Sequence, residues 1–332
     1  MAPTSYVPST FRARAPWFGG DLQTLRNFLR RPAIDLSPWP ERRLELAMHD
    51  GSGDRLVAKL HGPAPPKLGL VVLVHGLTGC EDSFYVRASA QQWLGAGYSV
   101  LRLNLRGAGP SRPLCIQQYH AGRSGDLRDA LVSLEAHDPS LFDQGLFLVG
   151  YSLGANLLLR FLADDAAAFP VKGAASVSAP IDLKAAQRRI MAGRNWVYHR
   201  YLLDRMREEA LAAPVPLSEK HRQAVMSAGS VYAFDDQVVA PANGFAGAED
   251  YYARCSAQRF LPQIALPTIV LHADDDPWIP ADSYRRFDWS QNEALSLVMP
   301  PAGGHVGFHG HGSKVTWHDR ETGRFFAAVT GR

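Results

Sequence analysis

The sequence predicts an α/β fold, a mostly parallel, doubly wound sheet carrying a helical cap insertion, and three observations carry that reading. Short, continuously apolar, β-branched runs recur at 69–76, 98–107, 145–152, 171–180 and 267–274, as expected for strands covered on both faces. Helical patterns sit between them, and strand alternating with helix marks βαβ units. The alternation halts once, between Ile181 and Leu261, for roughly 80 residues, too long for a plain connection.

The elements follow in order. Residues 1–40 are rich in proline and arginine around one amphipathic piece, DLQTLRNFLRR, and read as an arm packed on the core. RRLELAMHD and RLVAKLHG flank HDGSGD, whose Gly and Asp suit a hairpin of two antiparallel strands. After the break PAPPK the buried runs begin, separated by SFYVRASAQQWLGAG, DLRDALVSLEAHD and ANLLLRFLADD as helices. EALSLVMP is the expected last strand and TWHDRETGRFFAAVT the closing helix. The domain reading is therefore a core of 41–180 and 262–332, with a cap or lid over 181–261.

Composition narrows the function classes. At 332 residues, 46% apolar and 20% charged, the chain can bury a large core and is not a disordered segment. A net charge of +3 gives no case for nucleic acid. Cys80, Cys115 and Cys255 are odd in number and scattered, which favours free thiols in a reducing compartment. The N-terminus has no apolar h-region and no stretch reaches the length of a membrane span. These features predict a cytoplasmic protein without a transmembrane segment.

The chemistry centres on Gly150-Tyr151-Ser152-Leu153-Gly154, a G-x-S-x-G match lying where a buried strand meets a helix. A turn that sharp tolerates little side chain beside the serine, exposes the hydroxyl at the sheet edge, and aims the first helix amides at an oxyanion. The alternative is a serine that merely caps the helix. A nucleophilic serine needs a base. GGHVGFHGHG offers His305, His309 and His311 after the last strand; His305 stands closest to the strand, and the other two read as solvent-facing. The base in turn needs an acid to hold its tautomer. HADDDPWIP supplies three aspartates after a late strand. Asp274 is still on the strand end, Asp276 enters a proline turn, and Asp276 is the choice, with Asp275 the fallback. Asp274 and Asp275 are expected to bond turn amides or face solvent. A metal site built from His272, these aspartates and the histidines is the rival reading, but it leaves the serine turn unexplained and lacks an HExxH spacing. An oxyanion hole is expected from the backbone amides of Leu77, in LVHGLTG, and Leu153, with His75 a structural hydrogen-bonding residue.

At this point the chain resembles the α/β-hydrolases, and more narrowly the YheT-like group (AB hydrolase 4 family), over nearly its full length. DLQTL is similar to the family's HLQT with Asp21 in place of histidine. VHGLTG, NLRGAGPS, GYSLGANLLLRFL, FDDQVVAPANGF…DYYARCSA, DDPWIP and GGHVGF follow in the family's order. One departure is Ala155, where the family often has glycine. The resemblance implies a carboxylic-ester hydrolase acting on acyl or lipid-like esters, with no organic cofactor or metal, Ser152, His305 and Asp276 as the triad, and an acyl-enzyme intermediate. It equally admits acyl transfer from a thioester or ester to an alcohol. A non-catalytic ligand-binding module and a peptidase fit the residues less well.

Other features admit two readings each. Asp235 and Asp236 fall between Ser152 and His305 in chain order but follow no sheet strand, and read as fixing the cap through backbone hydrogen bonds. Trp196, Tyr198, Tyr201, Leu202 and Met206 could roof an acyl pocket or simply pack the cap. Arg188, Arg189, Arg194, Arg200, Arg205 and Arg207 read better as a solvated helical face than as a membrane contact, although peripheral contact stays open. Arg106 is expected to anchor a turn near the active-site edge. The expected partner is a small ester bearing an acyl chain; the sequence does not set the oligomeric state.

Overall fold

The computed structural model describes residues 6–332. Eight strands form one sheet in the order β1-β2-β4-β3-β5-β6-β7-β8, comprising β1 (Glu41–Ala47), β2 (Arg55–His61), β3 (Leu70–Val74), β4 (Ser99–Leu103), β5 (Leu146–Tyr151), β6 (Val171–Val177), β7 (Thr268–Leu271) and β8 (Leu295–Val298). β2 runs antiparallel to both neighbours, and all pairs from β4 to β8 are parallel. Every expected strand is present, and the hairpin is where the HDGSGD turn predicts it.

The apolar runs are buried on both faces for the reason their sequence suggests. Along β3, Leu70, Val72 and Val74 join one core cluster, whereas Val71 and Leu73 join the other, because successive strand residues point to opposite faces. Helices α3 (Gly125–His137) and α4 (Leu153–Asp164) pack the first side, and α2 (Phe84–Gly95) and the closing helix the second.

The arm contributes α1 (Gly20–Arg30). Between β6 and β7 lie α5 (Leu183–Ile190), α6 (Trp196–Leu211), α7 (Glu219–Ser227) and α8 (Val231–Phe234), which passes through a π-helical turn (Asp235–Val239) into α9 (Ala240–Ala242), followed by α10 (Ala248–Cys255). This stretch owns a small apolar cluster that includes Leu203, Met206, Val225, Val231 and Phe234. A short α11 (Asp282–Arg285) follows β7, and α12 (Trp317–Thr330) closes the chain. The parallel strands all end at one sheet edge, and the loops leaving that edge are where an open α/β sheet places its site.

Candidate active site

β5 ends at Tyr151 and α4 begins at Leu153, so a single residue must turn strand into helix. Ser152 does so at φ 51° and ψ −122°, a backbone conformation that costs on the order of 1–3 kcal/mol. The turn closes because its flanks are bare: a Cβ on Gly154 would collide with the His75 carbonyl oxygen, and one on Gly150 would lie 2.7 Å from Ala155 Cα. The Ser152 amide donates to Val177 O at 2.8 Å, pinning the elbow to β6.

The loop after β8 returns His305 to this point. Its Nε2 lies 2.9 Å from Ser152 Oγ, and its Nδ1 lies 2.8 Å from Asp276 Oδ2. Because Asp276 accepts from Nδ1–H, the Nε2 lone pair faces the serine hydroxyl. Trp278 stacks on the imidazole with ring centroids 4.5 Å apart. Asp276 Oδ1 accepts the amides of Trp278 at 2.8 Å and Ile279 at 3.0 Å. Burial opposes charge on Asp276, but the His305 ring outweighs it, with help from His272 and the Ile279 amide, and the carboxyl is held below its usual range.

The three consecutive aspartates divide their work. Asp274 is exposed and pairs with Arg285. Asp275 accepts the Gly304 amide at 2.8 Å and so ties the histidine loop to the β7 loop. Only Asp276 reaches the imidazole. His272 stacks on Tyr284 at 4.1 Å, and burial lowers its pKa to about 4. Among the described residues no set of three or more His, Cys, Asp or Glu side chains is grouped to hold a metal ion.

The histidine loop rests on the arm, which sequence reasoning did not connect to it. Thr24 Oγ1 accepts the His305 amide at 2.8 Å and donates to Gly20 O at 2.7 Å. Gln23 is fully buried; its amide oxygen accepts the His309 N–H at 2.6 Å, and its NH₂ donates to Trp17 O at 2.6 Å. The DLQT motif was the available signal, without an indication of what it touches. His309 corrects an expectation: it is buried, not solvent-facing, and burial, with nearby Arg26, drives its pKa down to about 3. Its glycine neighbours suggested exposure, but the arm covers the loop. His311 is exposed as expected.

Leu153 is the first residue of α4, so its amide has no intrahelical acceptor, and Leu77 lies on the loop after β3. Neither amide donates to a protein acceptor among the described residues. The β3 loop is held by Gly76 N–H donating to Tyr85 OH at 2.8 Å and Thr78 N–H to Tyr119 OH at 2.7 Å. His75 is wholly internal: Nδ1 donates to Gly76 O at 2.8 Å and Nε2 accepts the Leu105 amide at 3.0 Å. Arg106 is buried, bidentate to Asp126 at 3.0 and 2.7 Å, and reaches Asp54 at 3.1 Å.

Ser152, Leu77 and Leu153 open on a cavity of about 410 Å³ whose opposite wall includes Leu183, Ile190 and Leu202. Of the aromatic and apolar residues singled out on α6, Leu202 and Met206 line this cavity, Tyr198 rests on Trp278 with centroids 5.4 Å apart, and Trp196 and Tyr201 are exposed. Asp236 accepts the Ala248 amide at 2.8 Å, a backbone bond as expected. Asp235 does not follow that expectation. It lines the cavity and accepts the Tyr252 hydroxyl at 2.6 Å.

Residues 69–311 match the model of the alpha/beta hydrolase fold family. The chain is 31% identical over 300 residues to the Escherichia coli (strain K12) protein named "Putative esterase YheT", covering 87% of this chain and 84% of that one. It is 28% identical over 286 residues to a Saccharomyces cerevisiae protein named monoacylglycerol lipase, covering 80% of this chain and 62% of the yeast protein's length. Among solved structures it is similar to the alpha/beta hydrolase GrgF from Penicillium sp. sh18, with TM-score 0.59, 18% identity, and coverage of 88% of this chain and 100% of that one.

Proposed function

Since the chain belongs to the α/β-hydrolase fold family, we propose that it is a serine carboxylic-ester hydrolase acting on esters with an acyl chain, through Ser152, His305 and Asp276. The observation that carries the reading is the single imidazole spanning Ser152 Oγ at 2.9 Å and Asp276 Oδ2 at 2.8 Å, with Ser152 on the wall of a largely apolar cavity. In this mechanism Ser152 Oγ attacks the ester carbonyl carbon while His305 Nε2 takes its proton. Asp276 stabilises the resulting imidazolium. The carbonyl oxygen, now an oxyanion, is received by the Leu77 and Leu153 amides. Collapse breaks the bond to the leaving alcohol, which takes the proton back from His305 and departs, leaving an acyl-serine. Water, deprotonated by His305, then releases the acid and restores the serine.

Residues 181–261 act as the cap of this site, with the cavity between cap and sheet edge holding the acyl chain. Relatives named as esterase and monoacylglycerol lipase support ester hydrolysis as the reaction class.

The test is turnover of a p-nitrophenyl ester series from acetyl to palmitoyl by the intact protein and by Ser152→Ala. Wild type should show a chain-length optimum, and the variant should lose activity by a factor on the order of 10⁶ with an unchanged unfolding curve. Activity retained in Ser152→Ala would overturn the assignment. Product ester rising at the expense of free acid when alcohol is added would move the reading to acyl transfer by the same triad.

A further inference from the structure

α1 is packed with its polar side inward. Gln23 and Thr24 hold the histidine loop, while Phe18, Leu22, Phe28 and Leu29 are exposed. Beside it, Asp21 bonds Arg194 at 2.7 Å and the Tyr198 hydroxyl at 3.0 Å, which sets the start of α1 against the start of α6. There Trp196, Val197 and Tyr201 are exposed, Trp196 to 68%. Among the described residues, eight of the fourteen exposed large apolar side chains fall in the stretches 18–29 and 191–201. An apolar concentration of that kind on a soluble face marks an interaction surface.

Charge selects the partner. Residues 14–31 and 183–201 carry nine Lys and Arg against one carboxylate, Asp21, in a chain whose net charge is only +3. Arg194 and Arg200 are paired with Asp21 and Asp204, but Arg30, Arg31 and Arg188 form no ion pair among the described residues. A symmetric dimer through this face would bring the same cationic set against itself. A surface with anionic head groups over apolar chains satisfies both features.

We propose that the outer face of α1 and the first turns of α6 docks on an anionic lipid bilayer, its apolar side chains entering the head-group region and its arginines meeting phosphate. The inner faces of α5 and α6 line the cavity, so docking would hold the cavity wall against the layer where acyl chains lie. This goes beyond the hydrolase reading and does not depend on it.

The experiment is co-sedimentation of full-length Ser152→Ala protein, which leaves lipid intact if the triad is right, with vesicles of phosphatidylcholine alone or mixed with phosphatidylglycerol. The expected result is binding to the mixed vesicles, weakened by salt, and little to phosphatidylcholine alone. Arg30→Glu with Arg31→Glu should weaken apparent affinity about tenfold or more, and Phe28→Ser with Leu29→Ser should weaken it too. The same substitutions in the wild-type background should leave turnover of a water-soluble ester unchanged, which shows the fold intact. No binding to the mixed vesicles, or binding that neither pair of substitutions weakens, would overturn the proposal. So would a concentration-dependent dimer that Phe28→Ser with Leu29→Ser dissolves in the absence of vesicle binding. Loss of esterase activity in every protein alongside normal vesicle binding would count against the triad and leave the docking face standing.

Discussion

Two buried aspartates serve the same site and are treated differently: Asp276 lies behind His305, and Asp235 lines the cavity. On the sheet edge, Asp276 has both oxygens engaged, by two amides and the His305 ring, and its carboxyl is held below the usual range. Across the cavity, in the π-helical turn, Asp235 accepts a single tyrosine hydroxyl, and burial raises its pKa to about 7. Glu209 on α6 repeats the pattern, accepting the Tyr119 hydroxyl at 2.9 Å, and burial lifts it to about 7 as well. Burial raises all three, most plainly in Asp235 and half-buried Glu209, so the low Asp276 value must come from what surrounds it. What separates them is the number of donors: Asp276 has two amides and the His305 ring, whereas Asp235 and Glu209 each accept one tyrosine hydroxyl, and the arginines near Glu209 do not offset its burial. The sheet edge is organised to keep a carboxylate charged beside His305, whereas burial on the cavity wall pushes its carboxyls toward neutrality.

The comparison is sharpest in the triple-aspartate loop. On the proposed mechanism, Asp276→Asn removes the charge that would stabilise the imidazolium and favours the wrong tautomer, so kcat should fall by a factor on the order of 10⁴. Asp275→Asn keeps an oxygen for the Gly304 amide and should change kcat by less than about tenfold, while Asp274→Asn touches only an exposed ion pair, of the kind worth about 0–1 kcal/mol. Kinetics of the three variants on one soluble ester, with unfolding curves alongside, would check the ranking. If Asp275→Asn were the crippled variant, the special standing given to Asp276 would be wrong.

A smaller effect is expected from the arm. Thr24→Val deletes the acceptor for the buried His305 amide, and an unsatisfied buried donor costs about 1–3 kcal/mol. The loss should appear mostly in kcat, on the order of twofold to tenfold if half of it reaches the histidine's position, with KM little changed. Thr24→Ser keeps the hydroxyl and should restore most of the rate. A Thr24→Val protein with full activity would mean that the histidine loop holds itself.

These contrasts explain what could be read before the structure. The strands, Ser152, Asp276 and His305 were accessible because each is written locally: an apolar run, a glycine-flanked serine, an aspartate before a proline, a histidine just past the last strand. The inserted helices were located by the length of the interruption and by the helical character of the stretch beginning at Lys184. Thr24 escaped notice because its partner lies 281 positions away, and no local pattern encodes such a contact. His309 was misread because glycine neighbours normally mean exposure, whereas here the arm covers the loop and Gln23 accepts the His309 amide. Asp235 was misread because it follows no sheet strand and so read, with Asp236, as bonding backbone amides. Its Tyr252 partner and its place on the cavity wall exist only once α8 and α10 have packed together. Trp278 stands within the DDPWIP motif, yet its stacking on His305 depends on the turn that Asp276 itself organises.

The opposite wall offers the smallest and most discriminating test. Asp235 has a folded-state pKa raised from 3.8 to about 7, so between those values the native state binds a proton that the unfolded state has released. Stability contributed by this group is therefore fully present below 3.8, is lost as pH rises from there through about 7, and changes no further above that. Asp235→Asn keeps an oxygen to accept the Tyr252 hydroxyl but has no charge to bury. Urea unfolding of both proteins should show similar stability near pH 5 and a variant more stable than wild type near pH 8, by an amount on the order of 1–3 kcal/mol. The triad is untouched by this change, so turnover of a short soluble ester should stay within a few-fold. A stability difference that does not vary with pH would mean that Asp235 is ionised in the folded protein, and the contrast between the two walls would then come down to geometry alone.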